Sequence, residues 1–321
     1  MRISVIIPVY NAEKYIERAV RSVIDQKHVK EVVLVDDGSN DNSYEICKNL
    51  LKSSTIIKLY RHLNHKNKGV GASRNLGIKN SVYPFISFLD ADDYYLKNRF
   101  SETKKVFNND NNIDGVYEVI GAHYYSQNAR EKHIERMSDT KKFYENPIIA
   151  LEDTGVETGI SSENLFSELI KDRKGWIHLN GLTIKKKSLM GMELFSEEVS
   201  DNSALDLEDS EFILRLSHEK KLISTGSPTP IANRGIHESN RIFISYKKRK
   251  IMWEKMYHYT ILHDVEKDVG KLIIYNYLFN YSDNYFNCKN VLKRKILWVL
   301  NWSLLFLKNP FHIIKYSFQL F

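Results

Sequence analysis

Carboxylates gather at three places in the chain: Asp36-Asp37-Gly38-Ser39, Asp90-Ala91-Asp92-Asp93 and Glu208-Asp209. Such pairs can accept hydrogen bonds from a ribose or a base, or hold a divalent cation through oxygen ligands while that ion neutralises a diphosphate. The Asp90-Ala91-Asp92 spacing lets one carboxylate face a ribose or a base and the next reach a metal. Three carboxylates this close repel one another unless a cation is present. Each set also has an ordinary structural alternative. Residues 36–39 form a strand-to-helix turn in which Ser39 or Asn40 caps the next helix. Residues 90–93 form another acidic turn, and Glu208-Asp209 an acidic first helical turn favoured by the helix dipole.

The elements that must position these groups alternate. Over the first hundred residues short apolar runs exchange with amphipathic stretches, the pattern of a parallel sheet wrapped by helices. Strands are expected at 3–9, 32–35, 56–60 and 85–89. Tyr15, Ile16, Ala19, Val20, Val23 and Ile24 recur at helical spacing with Asn11 as N-cap, and further helices are expected at 41–52 and 71–79. Three of the strands run out into polar residues (Tyr10-Asn11, then the first two acidic sets), and open α/β sheets bind ligands at strand carboxyl ends. Residues 100–180, with an Asn/Asp run at 108–112 and a charged stretch at 130–142, read as a variable, partly looped region able to hold an acceptor. A helix is expected at 209–219 and a short strand at 222–224, followed by Gly/Pro/Asn-rich turns between 226 and 240. The chain is helical and aromatic over about 245–282 and becomes a basic, apolar tail from Val291.

With 321 residues, 42% hydrophobic and 27% charged, the chain is globular in composition and long enough for about two domains. The net charge of +7 suits a nucleic-acid binder, a protein resting on anionic lipid or a binder of phosphorylated small molecules. Its distribution favours lipid. Residues 284–321 hold six Lys/Arg and no Asp or Glu, so the preceding 283 residues carry 41 basic against 40 acidic groups. Cys47 and Cys288 cannot build a disulfide framework or a zinc set, which reads as reduced thiols in a cytosolic setting. The N-terminal apolar run stops at Pro8, too short for a signal peptide, so the chain is expected to start inside its fold.

VIIPVYNAE, VLVDDGSNDNS, NKGVGASRNLGI and FLDADD, in this order and spacing, resemble the family 2 glycosyltransferases of GT-A fold, closely over residues 1–100 and more weakly to about 240. The resemblance implies an open, mostly parallel Rossmann-like sheet flanked by helices. It implies a nucleotide-diphospho-sugar donor, with uridine diphosphate as the expected nucleotide, Mg²⁺ or Mn²⁺ as cofactor, and transfer with inversion at the anomeric carbon. Pro8 and Tyr10 match the loop around uracil and ribose, with Glu13 nearby. Asp36 matches the carboxylate that bonds the base, Arg74 a donor-binding arginine, Asp90 with Ala91 beside it the ribose contact, and Asp92 the metal ligand. A guanidinium at 74 suits phosphate or a base carbonyl. Asp37 and Asp41 are expected in turn and capping roles, and Asp93 in support of the acids before it. Inverting transfer needs a general base. Asp209 matches it, with Glu208 as a supporting carboxylate. His237 matches a segment near the donor diphosphate and could complete the metal site as a neutral imidazole, the alternative being a surface histidine. The chain departs from the pattern at Gly181, where many relatives carry lysine; Trp176 and Asn180 remain candidates for an acceptor sugar, Trp176 equally for plain core.

On this reading residues 1–240 form the catalytic domain, with 1–100 as its nucleotide-sugar half and 101–240 as its acceptor half, and 241–321 form a helical extension with a basic amphipathic tail at about 289–321. The apolar stretch 296–307 covers about 18 Å as a helix, against ~30 Å of bilayer core. It does not span. Lys293, Arg294, Lys295, Trp298 and Trp302 suit the lipid interface, which points to a peripheral protein on the inner face of the cell membrane acting on a lipid-linked glycan. The tail's other reading is docking on the protein's own core or on a second copy, as in a homo-oligomer. Among other enzymes a metal-dependent nucleotidyltransferase also uses paired acids, but it wants a Gly-rich basic loop where Pro8-Val9-Tyr10-Asn11 stands. A nucleic-acid binder wants a basic stripe on the globular body, where 247–250 is the only dense run, so nucleic acid is not an expected partner.

Overall fold

The computed structural model describes residues 1–139, 159–171, 176–197, 207–237 and 246–279, together with Ser303, Phe306, Leu307 and Lys315. Strand β1 (Ile3–Val9) is buried along its length, as a central strand covered on both faces must be. Helix α1 (Ile16–Ile24), β2 (Val29–Asp36), α2 (Ser43–Ser53), β3 (Ile57–Arg61), α3 (Val70–Asn80) and β4 (Phe85–Phe88) follow. Next come β5 (Tyr94–Tyr95), α4 (Ser101–Asn109), β6 (Gly115–Tyr117), β7 (Gly121–Tyr124), α5 (Gln127–Asp139), α6 (Ser162–Lys171) and β8 (Leu182–Lys185). The remaining described elements are α7 (Glu208–Glu219), β9 (Leu222–Ser224), β10 (Ala232–Ile236), α8 (Tyr246–Leu262) and α9 (Lys267–Phe279).

A seven-stranded sheet has the order β3-β2-β1-β4-β8-β6-β9, and among its strands β8 alone runs against the others. A small second sheet has the order β5-β10-β7. The chain winds outward from β1 through β2 to β3 and then returns to place β4 on the other side of β1. This reversal opens a crevice at the strand ends. Alternate residues of β1 serve two cores: Ile3, Val5, Ile7 and Val9 pack toward α1 and α2, whereas Ile6 faces α3. Gly77 allows that approach, since a Cβ there would stand 2.4 Å from the Ile6 side chain.

Three expectations need correction. Asn11 is not an N-cap: α1 begins after Tyr15, and Asn11 sits in the left-handed region at φ 49°, a conformation its short polar side chain tolerates. Residues 100–139 and 159–171 are largely regular, because the Thr103, Phe107, Leu165 and Leu169 positions bury an inward face despite the polar run between them. The turns expected after Gly226 include β10, whose NRG sequence hides a strand paired on both sides. Helices α8 and α9 do not form a separate core: Met256, Tyr257, Val269 and Ile273 share one cluster with Phe212 and Leu216 of α7. Phe306 packs against that cluster too, and Lys315 donates to Asp264 at 2.6 Å. The rest of 280–321, including Cys288, Trp298 and Trp302, lies outside the described residues. Among the described residues no helix is long and apolar enough to cross a membrane.

Candidate active site

The loops that leave β1 and β2 are knitted together. Asn11 accepts from the Asn40 N–H at 2.8 Å, and Ser43 Oγ accepts from Ala12 N–H at 2.7 Å. Asp41 accepts from Glu13 N–H and from Ser43 N–H, and Asp37 accepts from Lys68 N–H, which are turn and capping bonds. Glu13 is part of this stitching: its Oε2 accepts from both the backbone and side-chain nitrogens of Asn42, at 3.0 and 3.1 Å. Its carboxylate therefore helps to hold the start of α2. Pro8 is buried in register with Val35, and Tyr10 stands exposed at the rim.

Asp36, the last residue of β2, is fully buried. Its Oδ2 accepts from Arg61 Nε at 2.8 Å and from Gly38 N–H at 3.3 Å, while its Oδ1 is buried and takes part in no hydrogen bond. Arg61 is itself braced, its guanidinium carbon 3.8 Å from the Tyr44 ring centre. A buried carboxylate oxygen with no donor is costly on its own. It is suited to a ligand N–H.

The turn after β4 is held from three sides. Asn180 accepts from Asp90 N–H at 3.2 Å through its Oδ1 and donates to Asp93 through its Nδ2. Gly235 N–H donates to the other Asp93 oxygen at 2.6 Å, and the His237 Nε2 lies 3.1 Å from Asp92 Oδ2. Glycine is required at 235, where a Cβ would meet the Asp92 carbonyl at 2.2 Å. Burial, then the charges of Asp92 and Asp90, push the Asp93 carboxyl well above the usual carboxylate range. Ala91 is buried and belongs to the apolar cluster that includes residues of α1 and α2. Asn180 is thus a buried strut of the acidic turn, while Trp176 packs against the larger core. Gly181 also has its reason: a Cβ would lie 2.3 Å from the Glu118 carbonyl, so the lysine common at this point has no room.

Arg74 connects the turn after β4 with the start of α7. It is buried, donates to Asp90 Oδ1 at 2.7 Å and pairs with Glu208 at the first residue of α7. Burial opposes its charge, but Asp90 and Glu208 more than compensate and hold its pKa above the ordinary value. Two of the guanidinium's five N–H donors are thus taken by carboxylates, and its Nε takes part in no hydrogen bond. Asp209 follows on the same turn, with Oδ1 accepting from Ser210 N–H at 2.6 Å. Burial raises its carboxyl above the ordinary range against the opposing charge of Arg74, and the negative charge of Asp90 adds to the rise.

Sequence reasoning missed an aromatic wall beside His237. Tyr15 stacks on the imidazole, with ring centres 4.6 Å apart and planes at 17°, and Tyr125 meets it edge-on at 5.9 Å. Tyr125 donates to the Asp92 carbonyl at 3.3 Å and accepts from Arg18. Tyr15 had fitted the apolar helical repeat, and no spacing links it to residue 237. Among the described residues no three His, Cys, Asp or Glu side chains converge as a metal cluster; Asp92 and His237 form a pair.

The chain is 34% identical over 173 residues to an uncharacterised glycosyltransferase of Rickettsia conorii, covering 53% of this chain and 24% of that protein. It is 32% identical over 205 residues to the minor teichoic acid biosynthesis protein GgaA of Bacillus subtilis, covering 57% and 44%. It therefore spans about a quarter to under half the length of these curated relatives. Among solved structures, Staphylococcus aureus TarS 1–349 in complex with UDP-GlcNAc superposes with a TM-score of 0.63 at 17% identity, covering 94% of this chain and 79% of that one. The mannosyltransferase PcManGT of Pyrobaculum calidifontis, in complex with GDP-Man and Mn²⁺, gives 0.51 at 14%, covering 98% and 83%. At these identities the likeness is one of fold, and that fold is GT-A. The model of glycosyl transferase family 2 matches residues 4–164, half of the chain, and the chain belongs to that family.

Proposed function

We propose that the chain is an inverting glycosyltransferase that moves a sugar from a UDP-linked donor to a hydroxyl of a glycan. The observation that carries this reading is the Arg74 bridge. It ties the acidic turn after β4 to the first turn of α7, so that Asp209 stands within electrostatic reach of Asp90. Tyr10 and Pro8 border the space for a base, whose ring N–H would meet Asp36 Oδ1. Asp90 would accept from the ribose.

One carboxylate and one imidazole at 3.1 Å suit a Mg²⁺ or Mn²⁺ ion whose other ligands are water and diphosphate oxygens, so Asp92 and His237 fit such an ion. When bound it would neutralise charge on the departing diphosphate. Asp209 takes the proton of the acceptor hydroxyl. The acceptor oxygen bonds to the anomeric carbon from the far face, and the bond to the diphosphate oxygen breaks with its electron pair leaving on the nucleoside diphosphate. A carboxyl raised toward neutrality is a better-matched base than an ordinary one. Arg74 and Glu208 keep Asp209 aligned with the donor acids.

A lipid-linked glycan at the inner membrane face is the preferred acceptor. The relative named for teichoic acid biosynthesis supports a glycan acceptor, the neighbour crystallised with UDP-GlcNAc supports the UDP-linked donor, and the basic stretch within 284–321 supports a lipid surface. Residues 1–240 would carry catalysis and 241–321 the attachment. Nucleotide release should be measured over a panel of UDP- and GDP-sugars with lipid-linked glycans, soluble sugars and proteins as acceptors. The reading predicts release that requires a UDP-sugar, a divalent cation and the lipid-linked glycan. Efficient transfer to soluble sugars or proteins alone overturns the acceptor assignment, and no acceptor-dependent release with any donor overturns the reaction.

A further inference from the structure

His237 lies at the end of β10 and can reach Asp92 only if its ring is turned correctly. An imidazole has two freedoms here: the plane of the ring, and a half-turn that exchanges Nε2 with a carbon. The Asp92 contact at Nε2 selects between the two half-turn states. The plane needs a second constraint, and the structure supplies it from another part of the chain. Tyr15 lies flat on the imidazole at 17° and 4.6 Å, on the turn that Ala12 fixes by accepting from the Tyr15 and Ile16 N–H groups. Tyr125 closes the edge at 5.9 Å, and its own ring is held by Arg18, whose guanidinium carbon lies 4.8 Å from the ring centre. Among the described residues Tyr15 belongs to neither large apolar cluster, so its ring is not there to fill the core.

We propose that Tyr15 is a positioning residue for the cation site: its flat face sets the imidazole plane so that Nε2 is presented toward the same ion as Asp92. The proposal rests on the reading of Asp92 and His237 as the cation-holding pair. Groups that orient a metal-ligating histidine change metal affinity by about 10–100-fold when removed.

The test is Mn²⁺ binding to the full chain in the presence of UDP, followed by the paramagnetic resonance signal of free Mn²⁺. UDP binding is measured separately in chelator, and thermal unfolding shows that each variant is folded. Tyr15→Leu and Tyr15→Met remove the flat face, Tyr15→Phe keeps it, and His237→Ala removes the ligand. The expected result is Mn²⁺ affinity lowered about 10–100-fold in Tyr15→Leu and Tyr15→Met, near wild type in Tyr15→Phe, and metal-free UDP affinity unchanged in the three Tyr15 variants. If His237→Ala weakens Mn²⁺ binding while a folded Tyr15→Leu or Tyr15→Met binds as wild type, the role of Tyr15 is refuted and the pair stands. A parallel loss of metal-free UDP affinity also refutes it, since that marks general damage to the loop. If His237→Ala binds Mn²⁺ as tightly as wild type, the cation-holding pair is refuted and the role of Tyr15 falls with it.

Discussion

The acid at the end of β2 and the acids after β4 lie at the same edge of one sheet, yet they are built for opposite tasks. Asp36 is fully buried, balanced by Arg61 and left with one oxygen that takes part in no hydrogen bond, while its buried neighbour Asp37 turns to the Lys68 N–H. The turn at 90–93 concentrates three carboxylates, holds the innermost with Asn180 and Gly235, and leaves Asp90 and Asp92 partly exposed. A charge that is already paired and short of one donor suits a neutral N–H. A cluster with excess negative charge suits a cation or a polyol. The same residue type recognises different chemistry because its neighbours differ.

The largest effect that would break this contrast falls on Arg74, the group that joins the second site to α7. Arg74→Ala leaves Glu208 buried without its cation and should cost about 3–5 kcal/mol, read by urea unfolding. Replacing Arg74 and Glu208 together by Met should recover much of that loss, since apolar substitution of a buried pair is often near neutral. Stability unchanged in Arg74→Ala would mean that the bridge does not hold the 90–93 turn to α7. Next in size is Asp36→Asn, which should weaken UDP-sugar binding by about 1.5–3 kcal/mol, roughly 10–100-fold. Calorimetry would follow it, and an unchanged affinity would remove Asp36 from base recognition. The smallest effect is Glu13→Ala. It should lower stability by about 0.5–2 kcal/mol through the lost bonds at the start of α2, with donor affinity intact. A loss of donor affinity without loss of stability would return Glu13 to the nucleotide.

The contrast also marks what the sequence could reveal. β1 and β9 have the expected bounds and β2 to β4 differ by a few residues at most, because buried parallel strands are near-continuous apolar runs. The acidic groups could be seen at the strand ends for the same reason. The partners of those groups could not. Asn180, Gly235 and Tyr15 reach the 90–93 turn or His237 from distant parts of the chain, and β10 reads as a turn because pairing on both edges, rather than an apolar repeat, makes it a strand. Arg74 was visible as a site residue, but its commitment to Glu208 depends on a tertiary approach at Gly71, where a Cβ would stand 3.3 Å from the Glu208 side chain.

The central claim is that Asp209 takes the acceptor proton, and the pH profile of kcat/KM for wild type and Asp209→Asn tests it most directly, with UDP binding measured alongside. Because the folded carboxyl is raised, the base is ionised only above that raised pKa, so wild-type kcat/KM should climb with pH on an acid limb displaced upward from the ordinary carboxylate range. Asp209→Asn should lose about 10²–10⁴-fold in turnover together with that limb, while UDP affinity is kept. Full turnover in Asp209→Asn, or the same acid limb in both proteins, would contradict the assignment.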